Sequence, residues 1–337
     1  MTELLSPLHQ ADLFHFDGNA QALRILTRLH IQDSEPGLNL TCAVLNTLVK
    51  YPTAANQVGS DGSLLRKKMG YTDEDKETYL AITGHTGARD CRHPLAFVLE
   101  AADDIAYKTA DLEDSVKKGL LNLDVLLAFI DQELQSYPDK TGKAYRYAVD
   151  LFKPLAEQRQ KGKELAQTVK HLDPDFYAIQ NWLPFAQEWL MYCATYGFRQ
   201  LHYQEIMAGD YQKDLFVGTN HAYSVTVIDK IMREFVFPNR GIVKLELAAD
   251  AILSNLLQKF TIAALFHDKV YSSSNYVNIP AYQKLYSLIS DNYRAAYKQS
   301  LNCFRQRHPA DEEAYREYDI YLRLLLVTDY ILSLIHI

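Results

Sequence analysis

Asp103, Tyr107 and Asp111 follow one another at four-residue intervals. On a helix this spacing sets two carboxylates and a phenol on one slowly rotating face. Ala101, Ala102, Ile105, Ala106 and Leu112 stand between them, so such a helix would be buried on at least one side. An acidic stripe on a half-buried helix suggests a metal or phosphate site. The spacing is equally that of a solvated acidic face on an ordinary amphipathic helix, and the pattern alone does not separate the two.

The elements that must carry this face are helical. Pro94 can open a helix without losing a needed hydrogen bond, and Gly119 after Lys117 and Lys118 closes one, which predicts the acidic helix over 94–118. Ala22, Leu23, Ile25, Leu26 and Leu29 predict a helix over 19–31 with Asp17-Gly18-Asn19 as its start signal, and another over 41–49 stops before Pro52. Residues 56–70 read as a loop with a basic end, Arg66-Lys67-Lys68. Thr72 and Asp73 then open a short helix, and a second loop spans 83–93. Further helices are expected at 122–136, 143–160, 174–197, 219–234, 244–266, 278–301 and 310–331. Residues 235–237 and 242–245 could pair as a small hairpin around Pro238-Asn239-Arg240-Gly241, or that stretch could join two helices. The fold class is all-α, without internal repeats.

Composition narrows the function classes. A chain of 337 residues with 48% hydrophobic residues, 14 Gly and 11 Pro can bury a large core. Its formal net charge of −7 disfavours a globally basic nucleic-acid surface. Cys42, Cys91, Cys193 and Cys303 lie too far apart for a zinc knuckle or a disulfide framework, which fits a reducing, cytoplasmic setting. No membrane segment or export signal is read. Twenty-three tyrosines suit helix interfaces and nucleotide pockets alike.

Several segments together resemble, in order and spacing, the deoxyguanosine triphosphate triphosphohydrolases: Phe16-Asp-Gly-Asn-Ala-Gln21, Leu48-Val-Lys-Tyr-Pro52, Lys67-Lys-Met-Gly-Tyr71 and His93-Pro-Leu-Ala-Phe-Val-Leu-Glu-Ala-Ala-Asp-Asp-Ile-Ala-Tyr107. Asp291-Asn-Tyr-Arg-Ala-Ala-Tyr297 and Asp329-Tyr-Ile331 extend the likeness over nearly the whole chain. The resemblance implies an HD-domain-type helical bundle. Residues 1–120 would be the remaining part of the catalytic core and 121–331 a C-terminal helical region packed on it, with 332–337 a non-native tail. It implies hydrolysis of dGTP or another dNTP to deoxynucleoside and inorganic triphosphate, with a divalent ion, magnesium or manganese first, as cofactor.

Residue by residue, the resemblance makes Asp103 a metal ligand and Asp104 its supporting neighbour. It makes Tyr107 and Asp111 contacts to the sugar, Asn19 a substrate-binding amide, and Lys50 and Lys68 phosphate-binding lysines. Arg294 and Tyr297 would reach towards the nucleotide. Taken without the resemblance, Asn19 reads as a helix N-cap, the lysines as solvated, and Arg294 and Tyr297 as a surface arginine and a core tyrosine. The resemblance further implies a homo-oligomer, a hexamer in this family, and single-stranded DNA as a further partner.

The family's metal-binding His and His-Asp pair normally stand well upstream of the Asp-Gly-Asn segment, whereas only 16 residues precede Asp17 here. His9 and His15 are not followed by Asp. His267-Asp268, far downstream, reads as a coincidence. One carboxylate cannot fill a metal site. The expectation is therefore an N-terminally truncated triphosphohydrolase, inactive by itself. The alternatives are a catalytically dead nucleotide-binding or regulatory paralogue and an oligomerisation scaffold.

Overall fold

The computed structural model describes residues 4–32, 35–268 and 279–335. Helix α1 (Pro7–Phe14) forms where hydrophobic spacing predicts no element. The Ser6 side chain accepts the His9 amide and Pro7 takes the first turn, so capping chemistry rather than periodicity starts it. Asp17, not Asn19, caps α2 (Gly18–Arg24), which runs on as a π-helical turn over Ile25–Leu29. β1 (Ile31–Gln32) and β2 (Glu35–Pro36) form a two-residue antiparallel ladder, the one sheet among the described residues. Thr41 caps α3 (Cys42–Leu48). Short 3-10 turns at Ala55–Gln57, Leu64–Arg66 and Asp73–Asp75 lead to α4 (Lys76–Thr86), ended by Gly87 at φ 76° in the left-handed conformation that glycine tolerates best.

The helices that follow are α5 (Pro94–Lys117), α6 (Leu123–Ser136), α7 (Lys143–Leu165), α8 (Pro174–Tyr196), α9 (Tyr203–Ala208) and α10 (Ala222–Ile231), then α11 (Arg240–Phe266), α12 (Ile279–Tyr286), α13 (Asp291–Arg307) and α14 (Glu312–Ile335). The chain is thus an all-α helical bundle. No hairpin forms after residue 235: a π-helical turn at Met232–Val236 leads into α11, which starts at Arg240. The single helix expected over 278–301 is two: α12 ends at Tyr286, and Ser290, with non-helical backbone angles (φ −47°, ψ 139°), precedes the start of α13. α14 continues to Ile335, so part of the expected tail is helical; His336 and Ile337 lie outside the described residues.

The chain forms two compact units, one made of residues up to Ala96 and from Ala248 onwards, the other of Phe97–Leu247. The division runs through α5 and α11. Each unit has its own apolar interior. In the second, a continuous cluster gathers Ile105, Leu126, Leu155, Ile179, Trp182 and Ile228. The first has several smaller clusters, among them Leu23, Leu45, Val49, Tyr71, Tyr79 and Ile82, and it also buries ions. Arg24 is 5% exposed and bonds Asp329 through Nε at 2.7 Å and Asp75 through Nη1 at 2.8 Å. These charges tie residues 24, 75 and 329 together and compensate one another's desolvation.

Candidate functional site

In the first unit, Asn19 and Lys68 meet on one carboxylate. Asp17 Oδ1 accepts the Asn19 amide at 2.9 Å, as a helix cap does, and also the Asn19 side-chain nitrogen. Asp17 Oδ2 takes Lys68 Nζ at 2.8 Å. Burial pushes the Asp17 carboxyl up, but the hydrogen bonds from Lys68 and Asn19 outweigh it and hold the group below the ordinary carboxylate range. The same bond to Asp17 raises Lys68, which stays cationic at neutral pH. Lys68 is therefore not the freely solvated lysine that its sequence context alone suggests.

Lys50 and Lys68 sit on neighbouring irregular segments whose backbones are bolted together. Gly70 N donates to Thr53 O at 2.9 Å, Thr53 Oγ1 donates to Leu65 O at 2.8 Å, and Ala54 and Tyr71 form an isolated parallel bridge. The approach is so close that a β-carbon on Gly70 would lie 1.8 Å from the Tyr51 carbonyl oxygen, which only glycine avoids. Met69, with no exposed surface, anchors the stretch between the lysine and this contact. The Lys50 main-chain carbonyl accepts Arg92 Nε at 2.6 Å.

Arg294 and Tyr297 both lie on α13. Arg294 pairs with Asp291 one turn earlier and stands over the Tyr286 ring, 5.6 Å from its centroid. Tyr297 donates its hydroxyl to Asp319, and its ring lies 6.0 Å from the Arg323 guanidinium. Burial, together with the Asp319 carboxylate, pushes the Tyr297 phenol well above its ordinary value, so it stays protonated and donates to Asp319. These contacts join the two residues to α12 and α14. Arg323 also takes up Asp268 at 2.8 Å, while the His267 ring stacks on Tyr286 at 3.6 Å. The downstream His-Asp pair is thus engaged in an ion-pair and stacking network.

In the second unit, α5 displays the face its spacing predicts. At its start, still within the first unit, His93 Nδ1 accepts the Leu95 amide at 3.3 Å. Ala101, Ile105 and Leu112 are buried, Asp103 and Tyr107 exposed, and Asp111 half-buried. Tyr107 is 56% exposed. Partial burial raises its phenol, and its hydrogen bond to the Asp111 carboxylate raises it further. Asp104 turns away from this set to Lys108 at 3.4 Å, and Lys108 also reaches Asp229 at 3.1 Å.

The donor set does not fit a metal ion. Among the described residues, no group of three or more His, Cys, Asp or Glu side chains is placed to hold one, and a single carboxylate is too few. A cavity of about 860 Å³ in the first unit, lined by Leu301, Tyr315, Asp319 and Arg323 among others, includes none of the eight candidate residues. Sequence reasoning missed Arg92 and Gly70, and it took Asp17 only as a helix start. For Asp17 the capping signal was available. For Gly70 and Arg92 the partners are distant in sequence and no spacing announces them.

What the arrangement offers chemically is a cationic loop pair with an adjacent amide in one unit, and an exposed carboxylate–phenol helix face in the other. No family model matches the chain. Over 331 residues, 98% of its length, it is 33% identical to a deoxyguanosinetriphosphate triphosphohydrolase-like protein of Listeria monocytogenes, covering 65% of that protein. A like-named protein of Synechocystis is 30% identical over 278 residues, 78% of this chain and 55% of the relative. A deoxyguanosinetriphosphate triphosphohydrolase of Yersinia enterocolitica is 25% identical over 331 residues, 95% of this chain and 61% of the relative. The chain therefore spans between 55% and 65% of the length of these curated relatives.

Proposed function

The chain belongs to the deoxyguanosinetriphosphate triphosphohydrolase family, and from that premise we propose that it is the nucleotide-holding portion of an enzyme that hydrolyses dGTP to deoxyguanosine and inorganic triphosphate. The observation that carries this reading is the 33% identity maintained over 98% of the chain. The convergence of Asn19 and Lys68 on Asp17 supports it, because it gives the two residues a shared, preorganised position.

In this reading Lys50 and Lys68 neutralise the triphosphate. Ammonium groups suit the task because a phosphate chain presents charge in many directions and demands no planar match. Lys68 would exchange Asp17 for a phosphate oxygen, and Asn19 would offer the substrate an amide donor and acceptor. Asp111 would accept the sugar 3′-hydroxyl proton while the Tyr107 ring packs on the deoxyribose. Arg294 and Tyr297 would border the nucleotide from α13. Asp103 would be one carboxylate ligand of a divalent ion, magnesium or manganese, and among the described residues no group of three or more His, Cys, Asp or Glu completes such a site. No hydrolytic step is assigned to it, and the chain by itself is expected to bind without turnover. Homo-oligomerisation and single-stranded DNA binding belong to the same proposal, as properties the family resemblance suggests.

The test is calorimetric titration of the purified chain with dGTP, paired with ion chromatography of the products. Binding weakened by Lys68→Gln, with no triphosphate released, is expected. Release of pyrophosphate or orthophosphate would sink the reaction assignment, and release of triphosphate by the chain alone would sink the inactivity. Binding indifferent to Lys68→Gln would remove that lysine from the pocket.

A further inference from the structure

Between the end of α3 at Leu48 and the 3-10 turn at Ala55, the chain carries Lys50 through a stretch without regular secondary structure. Its course is set by side chains and backbone from elsewhere. On one side stands Arg92, 2% exposed. Its Nε donates to the Lys50 main-chain carbonyl at 2.6 Å, and its guanidinium lies over the Tyr51 ring, 5.5 Å from the centroid. On the other stands Gly70, with no room for a β-carbon against the Tyr51 carbonyl oxygen. The Lys50–Tyr51 peptide is gripped between a buried cation and a backbone contact that no side chain could share.

Burying a guanidinium is costly in desolvation, and an apolar residue of similar volume often stabilises a fold as well or better. What an apolar residue cannot do is fix a main-chain carbonyl in direction. We propose that Arg92 is a positioning residue for Lys50: by holding the Lys50 carbonyl and the Tyr51 ring it sets where the Lys50 ammonium stands beside the Lys68 segment, and so sets the affinity for a polyphosphate. The proposal rests on the reading of Lys50 as a phosphate-binding residue. Arg92 touches no phosphate itself and acts through the chain it holds. A lysine at 92 keeps the charge but loses the planar fork that can bond a carbonyl and stack on a ring together.

The test is a double-mutant cycle on the whole chain with inorganic tripolyphosphate as probe, using Arg92→Lys, Lys50→Gln and the double variant. In parallel, the Lys50 resonance is followed by NMR after ¹³C-methylation of the lysines. Each single variant is expected to weaken binding roughly tenfold and the double variant to lose little more, the non-additivity of residues acting as one unit. Arg92→Lys should also move the Lys50 methyl resonance. Additive losses, or wild-type binding by Arg92→Lys, with an unmoved Lys50 resonance would overturn the positioning role. If Lys50→Gln binds as the wild type while Arg92→Lys still moves the Lys50 resonance, the phosphate-binding reading fails and the positioning stands. Should Arg92→Lys fail to fold, Tyr51→Leu removes only the ring beneath the guanidinium and carries the same expectation at smaller amplitude.

Discussion

Along α5, Asp103, Tyr107 and Asp111 share a face because of i,i+4 spacing alone. Lys50 and Lys68 are brought to neighbouring positions by contacts between residues far apart in sequence: Gly70 against Tyr51, Arg92 on Lys50, and Asp17 on Lys68. The first arrangement is local and exposed, and survives wherever the helix survives. The second depends on how tightly the first unit packs, and that unit buries ions as well as apolar side chains. The two regions should therefore answer mutation and pH very differently.

The largest difference is expected at Arg24. Replacing it with Ala takes the guanidinium from the buried Asp329 carboxylate and leaves Asp75 with Arg28 and Thr72, at a cost of about 3–5 kcal/mol. Urea denaturation would show this as a large fall in midpoint. A midpoint close to the wild type would mean that the first unit does not depend on its buried charges, and the contrast with α5 would collapse.

A middle-sized effect is expected from pH. Burial pushes the Asp12 carboxyl up to about 6, against the partial relief of the Tyr321 hydroxyl, which donates to it at 2.6 Å. A carboxyl raised in the folded state takes up its proton there before it does in the unfolded chain, so folding stability rises as pH falls from about 6 towards 4. His9 acts in the same sense. Burial pulls it down, but the Asp73 and Glu317 carboxylates outweigh this and raise it. Its contribution is full below the unfolded value and is lost as pH rises through the folded one. Thermal melts should thus give a higher midpoint near pH 5.5 than near pH 7.5. Asp12→Asn should flatten that slope and stabilise the chain at neutral pH by the order of 1 kcal/mol, given about 1.4 kcal/mol per pKa unit. A wild-type slope of the opposite sign would show that Asp12 and His9 do not govern this window.

The smallest effect is expected on the exposed face of α5. Tyr107→Phe removes only a hydroxyl bonded to Asp111 on a half-exposed ring, and should change stability by less than about 0.5 kcal/mol. Its consequence, if α5 faces the sugar, should appear in dGTP affinity instead. A melting temperature that falls as far as that of Arg24→Ala would erase the distinction between the two regions.

The helices were legible where caps and periodicity agreed: Pro94 and Gly119 bracket α5, and Asn122 and Asp173 cap α6 and α8 with side chains that accept amide hydrogens from the first turn. They were illegible where one signal spoke alone. α1 has a Ser-Pro start but little periodic apolar face, and the break between α12 and α13 carries no proline or glycine. Of the candidate residues, those on α5 were legible as a shared face from spacing. Asn19, Lys50, Lys68, Arg294 and Tyr297 became candidates only through likeness to a family, since their local context reads as a helix cap, solvated lysines, a surface arginine and a core tyrosine.

By itself the sequence determined the all-α class, most helix limits, the common face of Asp103, Tyr107 and Asp111, and the family, because each of these is written in residues that are neighbours along the chain or in the order of short motifs. Tertiary structure alone decided that Asp17 joins Asn19 to Lys68 and that Arg24 is clasped by Asp75 and Asp329. It alone decided that Gly70 must lack a β-carbon and that Arg92 holds the Lys50 peptide. The reason is physical: a hydrogen bond, an ion pair or a steric exclusion between residues up to about three hundred positions apart has no period, and it exists only once packing has brought its two ends together.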